Sequence, residues 1–313
     1  MGLIQVPEPG LLTTVQDLGR EGHGPMGVSA SGAADAVSLR VGNRLVGNAE
    51  GAAGLEMTLL GGTFLFAEGA TIALTGSDFG ATLDGSAVGM WATVDVSSGQ
   101  TLRLGATRDG ARSYLCVRGG IEVELFLGSA STHILSGLGG FQGRALRKGD
   151  ELKIGAAGGV VQERKVSARV LEKLAPEKIL RATPGPQAEW FGDASQHLFY
   201  SGKYRVTEEA NRMGLRLDGR SILEPFGGKM ISEGVTLGAV QVPESGMPII
   251  LFVEQQTTGG YPKIANVISA DFHSLGQLRP RDEIRFERIE WDAARELLKE
   301  QEKLLKSEEL LFA

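Results

Sequence analysis

The sequence predicts a mainly β protein built from two copies of one fold, with few helices. Three observations carry this. First, the chain repeats itself in order: Phe79-Gly80-x-x-Leu83-Asp84-Gly85 returns as Met213-Gly214-x-x-Leu217-Asp218-Gly219, Leu104-Gly105-Ala106 as Leu237-Gly238-Ala239, and Leu146-Arg147-x-x-Asp150-Glu151-Leu152 as Leu278-Arg279-x-x-Asp282-Glu283-Ile284, at offsets of 134, 133 and 132. A period of that length is too long for a solenoid and describes duplicated domains. Second, the 45 glycines are scattered among short apolar runs, about twice the usual share of ~7%, as tight turns between strands require. Third, helical periodicity is confined to two stretches. Copies of about 100 residues suit small closed barrels, which leave no exposed sheet edge.

Residues 1–50 precede the repeat and form an N-terminal segment that packs on the barrels. It carries a Gly-rich turn and then a helix opened by Asp35, with Val37, Leu39, Val41, Leu45 and Val46 as its apolar residues and Gly47-Asn48 as its stop. The first copy, 51–160, reads as short strands at Thr63–Phe66, Thr71–Leu74, Thr93–Val96, Thr101–Leu104, Tyr114–Val117 and Asp150–Ile154. Asp84-Gly85 marks a tight hairpin turn, because both residue types tolerate positive φ. Residues 161–180 form a charged connector, and the second copy spans 181–290, with Pro248–Val253 as its most apolar strand. Residues 291–313 hold a C-terminal helix whose Trp291, Ala294, Leu297, Leu298, Leu304 and Leu305 alternate with Glu and Lys and favour packing on the chain itself.

Composition narrows the function. The net charge of −6 comes without a basic tract, which argues against a nucleic-acid partner. No run of apolar residues is long enough to span a bilayer, and the opening Met1-Gly-Leu-Ile-Gln-Val lacks the charged and apolar regions of a signal peptide. The lone Cys116 permits no internal disulfide and suits the cytoplasm. Phe226-Gly-Gly-Lys-Met230 lacks the loop and hydroxyl residue of a nucleotide-binding motif, and Gly137-x-Gly139-x-x-Gln142 misses the dinucleotide fingerprint. His23, His133, His197 and His273 show no metal-ligand spacing, so no metal is expected. Cys116 alternates within a strand as a small core residue would. No Gly-x-Ser-x-Gly elbow occurs.

Four polar constellations are candidates for a site. In Glu254-Gln255-Gln256-Thr257-Thr258-Gly259-Gly260-Tyr261-Pro262-Lys263, the most apolar strand turns abruptly into amides, hydroxyls, glycines and a cation, groups that bind carboxylate or phosphate at the end of a rigid element. In Asn211-Arg212-Met213-Gly214, Arg212 stands where the first copy has Asp78, and its guanidinium suits a carboxylate. Glu56 and Glu233 lie in apolar and Gly-rich surroundings that favour either proton transfer or a structural acceptor role. The fourth set is Asp17, Arg20, Ser31 and Asp35.

Seven blocks resemble one family: Leu12–Arg20, Ser31–Asp35, Asn43–Asn48, Asn211–Leu217, Ser232–Val235, Gly238–Pro243 and Gln256–Pro262. Together they are similar to the KipA family, also called the C-type subunit of 5-oxoprolinase or allophanate hydrolase subunit 2, over residues 3 to 287. Ala33-Ala34 and Glu254 depart mildly from its pattern. The resemblance implies tandem cyclophilin-like β-barrels. It also implies the C-type subunit of an ATP-consuming bacterial 5-oxoprolinase, which hydrolyses 5-oxo-L-proline to L-glutamate with a KipI-like, B-type subunit and an A-type (LamB/YcsF-like) subunit. Related roles are the carboxyltransferase component of a biotin-dependent urea carboxylase and an antagonist of a KipI-type kinase inhibitor. No Met-Lys-Met biotin attachment motif occurs. For lactam hydrolysis the expectation is anion binding by Arg212 and Lys263, acid/base work by Glu233, and substrate contacts from Asn211, Gln241, Gln256, Thr257 and Thr258, with Asp17 and Arg20 further candidates.

Overall fold

The computed structural model describes residues 2–159, 162–222 and 230–312. The Phe226–Lys229 part of the Gly-Gly-Lys fragment lies outside these residues. The described chain falls into two compact units: Met1–Arg20, Ser31–Ala175 and Leu304–Ala313 form the first, Glu21–Ala30 and Pro176–Lys303 the second.

Strands of the first unit are β1 (Leu3–Glu8), β2 (Leu12–Gln16), β3 (Gly54–Thr58), β4 (Thr63–Phe66), β5 (Ala70–Gly76), β6 (Thr82–Leu83), β7 (Ser86–Ala87), β8 (Thr93–Val96), β9 (Thr101–Arg103), β10 (Arg112–Val117), β11 (Ile121–Glu122), β12 (Glu151–Ile154) and β13 (Lys165–Val166). They build a sheet ordered β11-β12-β1-β4-β9-β6-β7 and another ordered β2-β3-β10-β5-β8. Ile4, Val15, Leu55, Phe64, Phe66, Leu74, Leu102 and Leu115, drawn from both sheets, are fully buried in one core. The N-terminal strands β1 and β2 are thus full sheet members. The hairpin between β6 and β7 turns on Asp84 and Gly85, at φ 47° and 86°, the positive values that the Asp-Gly pair accommodates.

Helix α1 (Ala36–Leu45) covers the five-stranded sheet through contacts with β5 and β10. Asp35 caps it, accepting from Ser38 N (2.9 Å) and from Ser38 Oγ (2.6 Å), and Gly47 follows its end at φ 74°. Residues 165–174 have structure of their own: β13 leads into α2 (Ala168–Lys173), whose Val170 is buried with Leu174, Leu305 and Leu310 against α1.

In the second unit, β14 (Ile179–Pro184), β15 (Tyr204–Val206), β16 (Gly214–Gly219), β18 (Ala239–Gln241), β19 (Ile249–Leu251), β21 (Lys263–Val267) and β22 (Glu283–Arg288) close a barrel ordered β14-β21-β18-β19-β16-β15-β22. The ring is completed by a parallel pair, β14 with β22. A separate two-stranded ribbon joins β17 (Glu233–Gly234) to β20 (Thr258–Gly259). Helices α3 (Asp193–Ser201) and α4 (Phe272–Gln277) accompany the barrel, and Phe199 of α3 stacks on Phe286 of β22 at 4.4 Å between ring centres. Helix α5 (Trp291–Lys306) follows β22, and the short β23 (Leu311–Phe312) pairs with β13.

The sequence repeat has a physical counterpart. Asp150 Oδ2 accepts from Arg147 N at 2.7 Å before β12, and Asp282 Oδ2 accepts from Arg279 N at 2.8 Å before β22. The same Arg-x-x-Asp turn therefore launches a strand in each unit. Arg144 also grips both oxygens of Asp150, at 2.7 and 2.9 Å, and this fork holds its carboxyl below the usual range. Asp150→Asn should destabilise the protein by about 1.5–3 kcal/mol, the range for hydrogen bonds to a charged group. Because the folded pKa is depressed, the wild-type advantage is present above about pH 4, the usual carboxylate value, and is lost as pH falls through the folded value. Denaturant midpoints of both proteins between pH 7 and pH 3 check this.

Candidate functional site

The candidate site lies in the second unit, where the barrel meets the ribbon. Lys263 opens β21 and is the cross-strand partner of Gln241 on β18. Only 3% of its side chain is exposed, yet its Nζ reaches Glu233 Oε1 on β17 at 2.5 Å; the Glu233 side chain is 44% exposed. Glu233 Oε1 also accepts from Gln187 Nε2 at 2.9 Å. Gln187 is tied in turn to the Lys263 backbone, accepting from its N–H at 3.1 Å and donating its own N–H to its carbonyl at 3.2 Å. The Lys263 ammonium first, and the Gln187 amide second, hold the Glu233 carboxyl below its ordinary range, so it is ionised at neutral pH.

Local sequence explains how these groups converge. The turn Pro184-Gly185-Pro186-Gln187 follows β14 and runs against β21. A Cβ on Gly185 would stand 2.3 Å from the Lys263 carbonyl oxygen, so only glycine lets Gln187 reach it. On the ribbon, a Cβ on Gly259 would lie 2.4 Å from Gln241 Nε2 and 3.0 Å from Gln256 Nε2. Gly259 is the cross-strand partner of Glu233, and Thr258 that of Gly234. Thr257 holds this register by accepting from Val235 N at 3.1 Å through its carbonyl. Lys263, Glu233, Gln241, Gln256 and Thr258 are thus brought together, and Gln187 joins them. Sequence reading missed Gln187, which is neither charged nor nucleophilic; its only signal was the Pro-Gly-Pro turn before it.

Arg212 has a different setting. Its Nε reaches Glu254 Oε1 at 2.5 Å, with the side chains 6% and 1% exposed, and Glu254 N donates to the Arg212 carbonyl at 2.8 Å. This pair braces the segment before β16 against the turn after β19. Asn211 Oδ1 accepts from Met213 N at 2.8 Å and shapes the same turn. In the first unit the counterpart Asp78 forms an exposed pair with Arg108 at 2.7 Å.

Asp17 and Arg20 belong to the first unit and organise its loops. The Asp17 carboxylate accepts from Gly19 N (2.8 Å), Ser129 Oγ (2.6 Å), Ser131 Oγ (2.5 Å) and Ala130 N (2.7 Å). Arg20 donates to the carbonyls of Phe126 and Ser131 and lies over the Phe126 ring. Ser31 donates to the Thr132 carbonyl at 2.9 Å. Glu56 is buried on β3 and accepts from Ala34 N at 2.8 Å and Tyr114 Oη at 2.7 Å. Cys116 is fully buried, and burial pushes its thiol far up. Among the described residues no cluster of three or more His, Cys, Asp or Glu is arranged to hold a metal ion, and no helix is long and apolar enough to cross a membrane.

A β-rich double unit with a polar cluster at a barrel rim defines a class, and the comparisons agree on which. Residues 26–288 match the family described as carboxyltransferase domain, subdomain A and B. The chain is 39% identical to the C-type 5-oxoprolinase subunit of Escherichia coli, covering 91% of this chain and 90% of that protein. It is 36% identical to the C-type 5-oxoprolinase subunit of Haemophilus influenzae, covering 92% of each. The crystal structure of the K. lactis urea amidolyase matches with a TM-score of 0.91 at 31% identity, over 97% of this chain and 20% of that one. The chain belongs to the carboxyltransferase-domain family that includes the C-type subunits of 5-oxoprolinase.

The four donors on Asp17 identify it as a structural acceptor. Asp17→Asn places an amide N–H opposite one of these donors and should cost about 1–3 kcal/mol per stranded buried group. Chemical denaturation checks this, with a lowered midpoint expected.

Proposed function

We propose that this chain is the C-type subunit of an ATP-dependent 5-oxoprolinase that opens the lactam of 5-oxo-L-proline to L-glutamate together with a KipI-like, B-type subunit and an A-type (LamB/YcsF-like) subunit. The observation that carries the reading is the extent of the match. Two C-type 5-oxoprolinase subunits align over nine tenths or more of both partners, whereas the match to the urea amidolyase spans 20% of that chain.

The site suits such a substrate. 5-Oxoproline carries one carboxylate and one secondary amide in a small ring. Lys263 supplies the cation for the carboxylate, and Gln241, Gln256, Thr257 and Thr258 supply hydrogen-bonding groups that orient the ring. Glu233, ionised beside Lys263, is suited to act as base toward the attacking water. Arg212 and Asn211 support the adjoining turn. Lactam cleavage breaks the C–N bond, adds the water oxygen to the carbonyl carbon and delivers a proton to the nitrogen. Phosphorylation of the lactam oxygen by ATP, with release of ADP, would first make the ring carbon electrophilic toward that water, and the phosphoryl group would leave as inorganic phosphate. ATP is assigned here to the complex and not to a loop of this chain. We place its action in the cytoplasm, in keeping with the single thiol.

A second reading, carboxyl transfer in a biotin-dependent urea carboxylase, is favoured by the TM-score of 0.91 to the urea amidolyase structure and would need a biotin carrier on another chain. In a third, the chain only sequesters a KipI-type inhibitor. Reconstitution with the three subunits, omitting one at a time, separates them. Glutamate release from 5-oxoproline and ATP is expected only with all three present and should be insensitive to avidin. Avidin-sensitive turnover of urea would establish the second reading, and an intact but inert complex the third.

A further inference from the structure

Among the described ion pairs, some shelter both partners, some only the anion, as in Arg181–Asp271, and Lys263–Glu233 only the cation. Arg212–Glu254 and Arg112–Glu56 shelter both partners, with side chains 6% and 1% exposed in each case. Lys263–Glu233 shelters only the cation, at 3% against 44%. The difference has a physical consequence. A carboxylate already facing water can be released into it at little cost. An ammonium taken out of water cannot be left without an anion.

The element that carries Glu233 is also lightly anchored. β17 pairs only with β20, through two register positions, and neither belongs to the barrel. An isolated two-stranded ribbon of this size is marginal by itself. Lys263, by contrast, opens a barrel strand paired on both sides. Directly across from Lys263, Gln241 is 1% exposed and its Nε2 has no hydrogen-bond partner. It lies against Gly259, the residue paired with Glu233. Glu233 Oε1 takes both Lys263 and Gln187, while a buried amide donor beside them stays unmatched.

We propose that the Lys263 ammonium is a receptor for a small mono-carboxylate, occupied by Glu233 in the free protein, and that the ligand enters by taking the place of Glu233 and offering its second oxygen to Gln241. The exchange is carboxylate for carboxylate, so the buried cation is never left unpaired. It makes Glu233 an internal competitor that sets ligand affinity, and it frees Glu233 beside the bound ligand. The inference rests on the 5-oxoprolinase reading only for the choice of 5-oxoproline as ligand.

Calorimetric titration of the full chain tests this, using 5-oxo-L-proline, acetate as a plain carboxylate probe, and 5-oxo-L-prolinamide as the uncharged control. Glu233→Gln keeps an acceptor for Gln187 and removes the competing charge; it leaves the buried ammonium without its anion, so the denaturation midpoint of the variant should be lowered and should recover when a carboxylate is added. The variant should bind the carboxylates at least tenfold more tightly than wild type, while the prolinamide should not bind. Lys263→Met should abolish carboxylate binding. Equal or weaker binding by Glu233→Gln, or binding that survives Lys263→Met, would overturn the proposal. Tighter acetate binding by Glu233→Gln, together with a wild-type complex inert toward 5-oxoproline, would keep the receptor and remove the substrate reading. Turnover of 5-oxoproline with no gain in affinity would do the reverse.

Discussion

Glu56 sits on a central strand of the first unit's five-stranded sheet, 1% exposed, and a charge there has to be met from every side. Arg112 approaches from β10 at 3.5 Å, Tyr114 donates its hydroxyl, and Ala34 donates its N–H. The tyrosine oxygen in turn accepts from Asp35 N at 2.7 Å, at the mouth of α1. Burial first and Glu56 second push the Tyr114 phenol well above its usual value, so it remains a proton donor. One carboxylate thus fixes where the chain enters its longest first-unit helix. Desolvating an ion without such partners costs more than the fold could offset, and the same rule governs Asp17 and Asp271. Asp271 accepts the backbone and guanidinium of Arg181. The loops of this β-rich chain are held in place by acidic residues that collect donors.

Against that background the Lys263–Glu233 pair stands apart. It obeys the rule for the cation and relaxes it for the anion. Around Glu56 and Asp17 the carboxylate serves the architecture; here it faces water on a ribbon outside the barrel. A site that takes an anionic ligand needs this kind of asymmetry, because a cation locked on both sides would have nothing to offer.

Much of the fold was legible in the sequence because its signals are local. Thr63–Phe66, Thr93–Val96 and Glu151–Ile154 are strands that alternate or run apolar between turn residues. Asp84-Gly85 makes its turn within two residues, and Asp35 caps a helix three residues on. The site was legible only as residue types. Arg212 reads as an anion ligand until its partner Glu254, 42 positions away, is seen. Asp17 reads only as a further site candidate, because the donors Ser129, Ala130 and Ser131 that fix its carboxylate lie more than a hundred positions away. Gln187 gave no signal beyond the Pro-Gly-Pro turn before it, because its importance lies in reaching Lys263, 76 positions on. Pairings that depend on long-range register are not written in any window of the chain.

The parallel pairing of β14 with β22 sets Ile179 beside Arg285. The barrel is therefore sealed by the first and last strands of its own segment, about a hundred residues apart, and non-local contacts of that kind are slow to form. On the ribosome, every other strand of the barrel emerges before its closing partner does. Until Glu283–Arg288 is released, β14 presents an open edge, and the segment that bears Lys263 and Glu233 has no closed wall behind it. Assembly of the candidate site is by this geometry one of the last events in the making of the second unit, and a truncation that removed β22 would take the site with it.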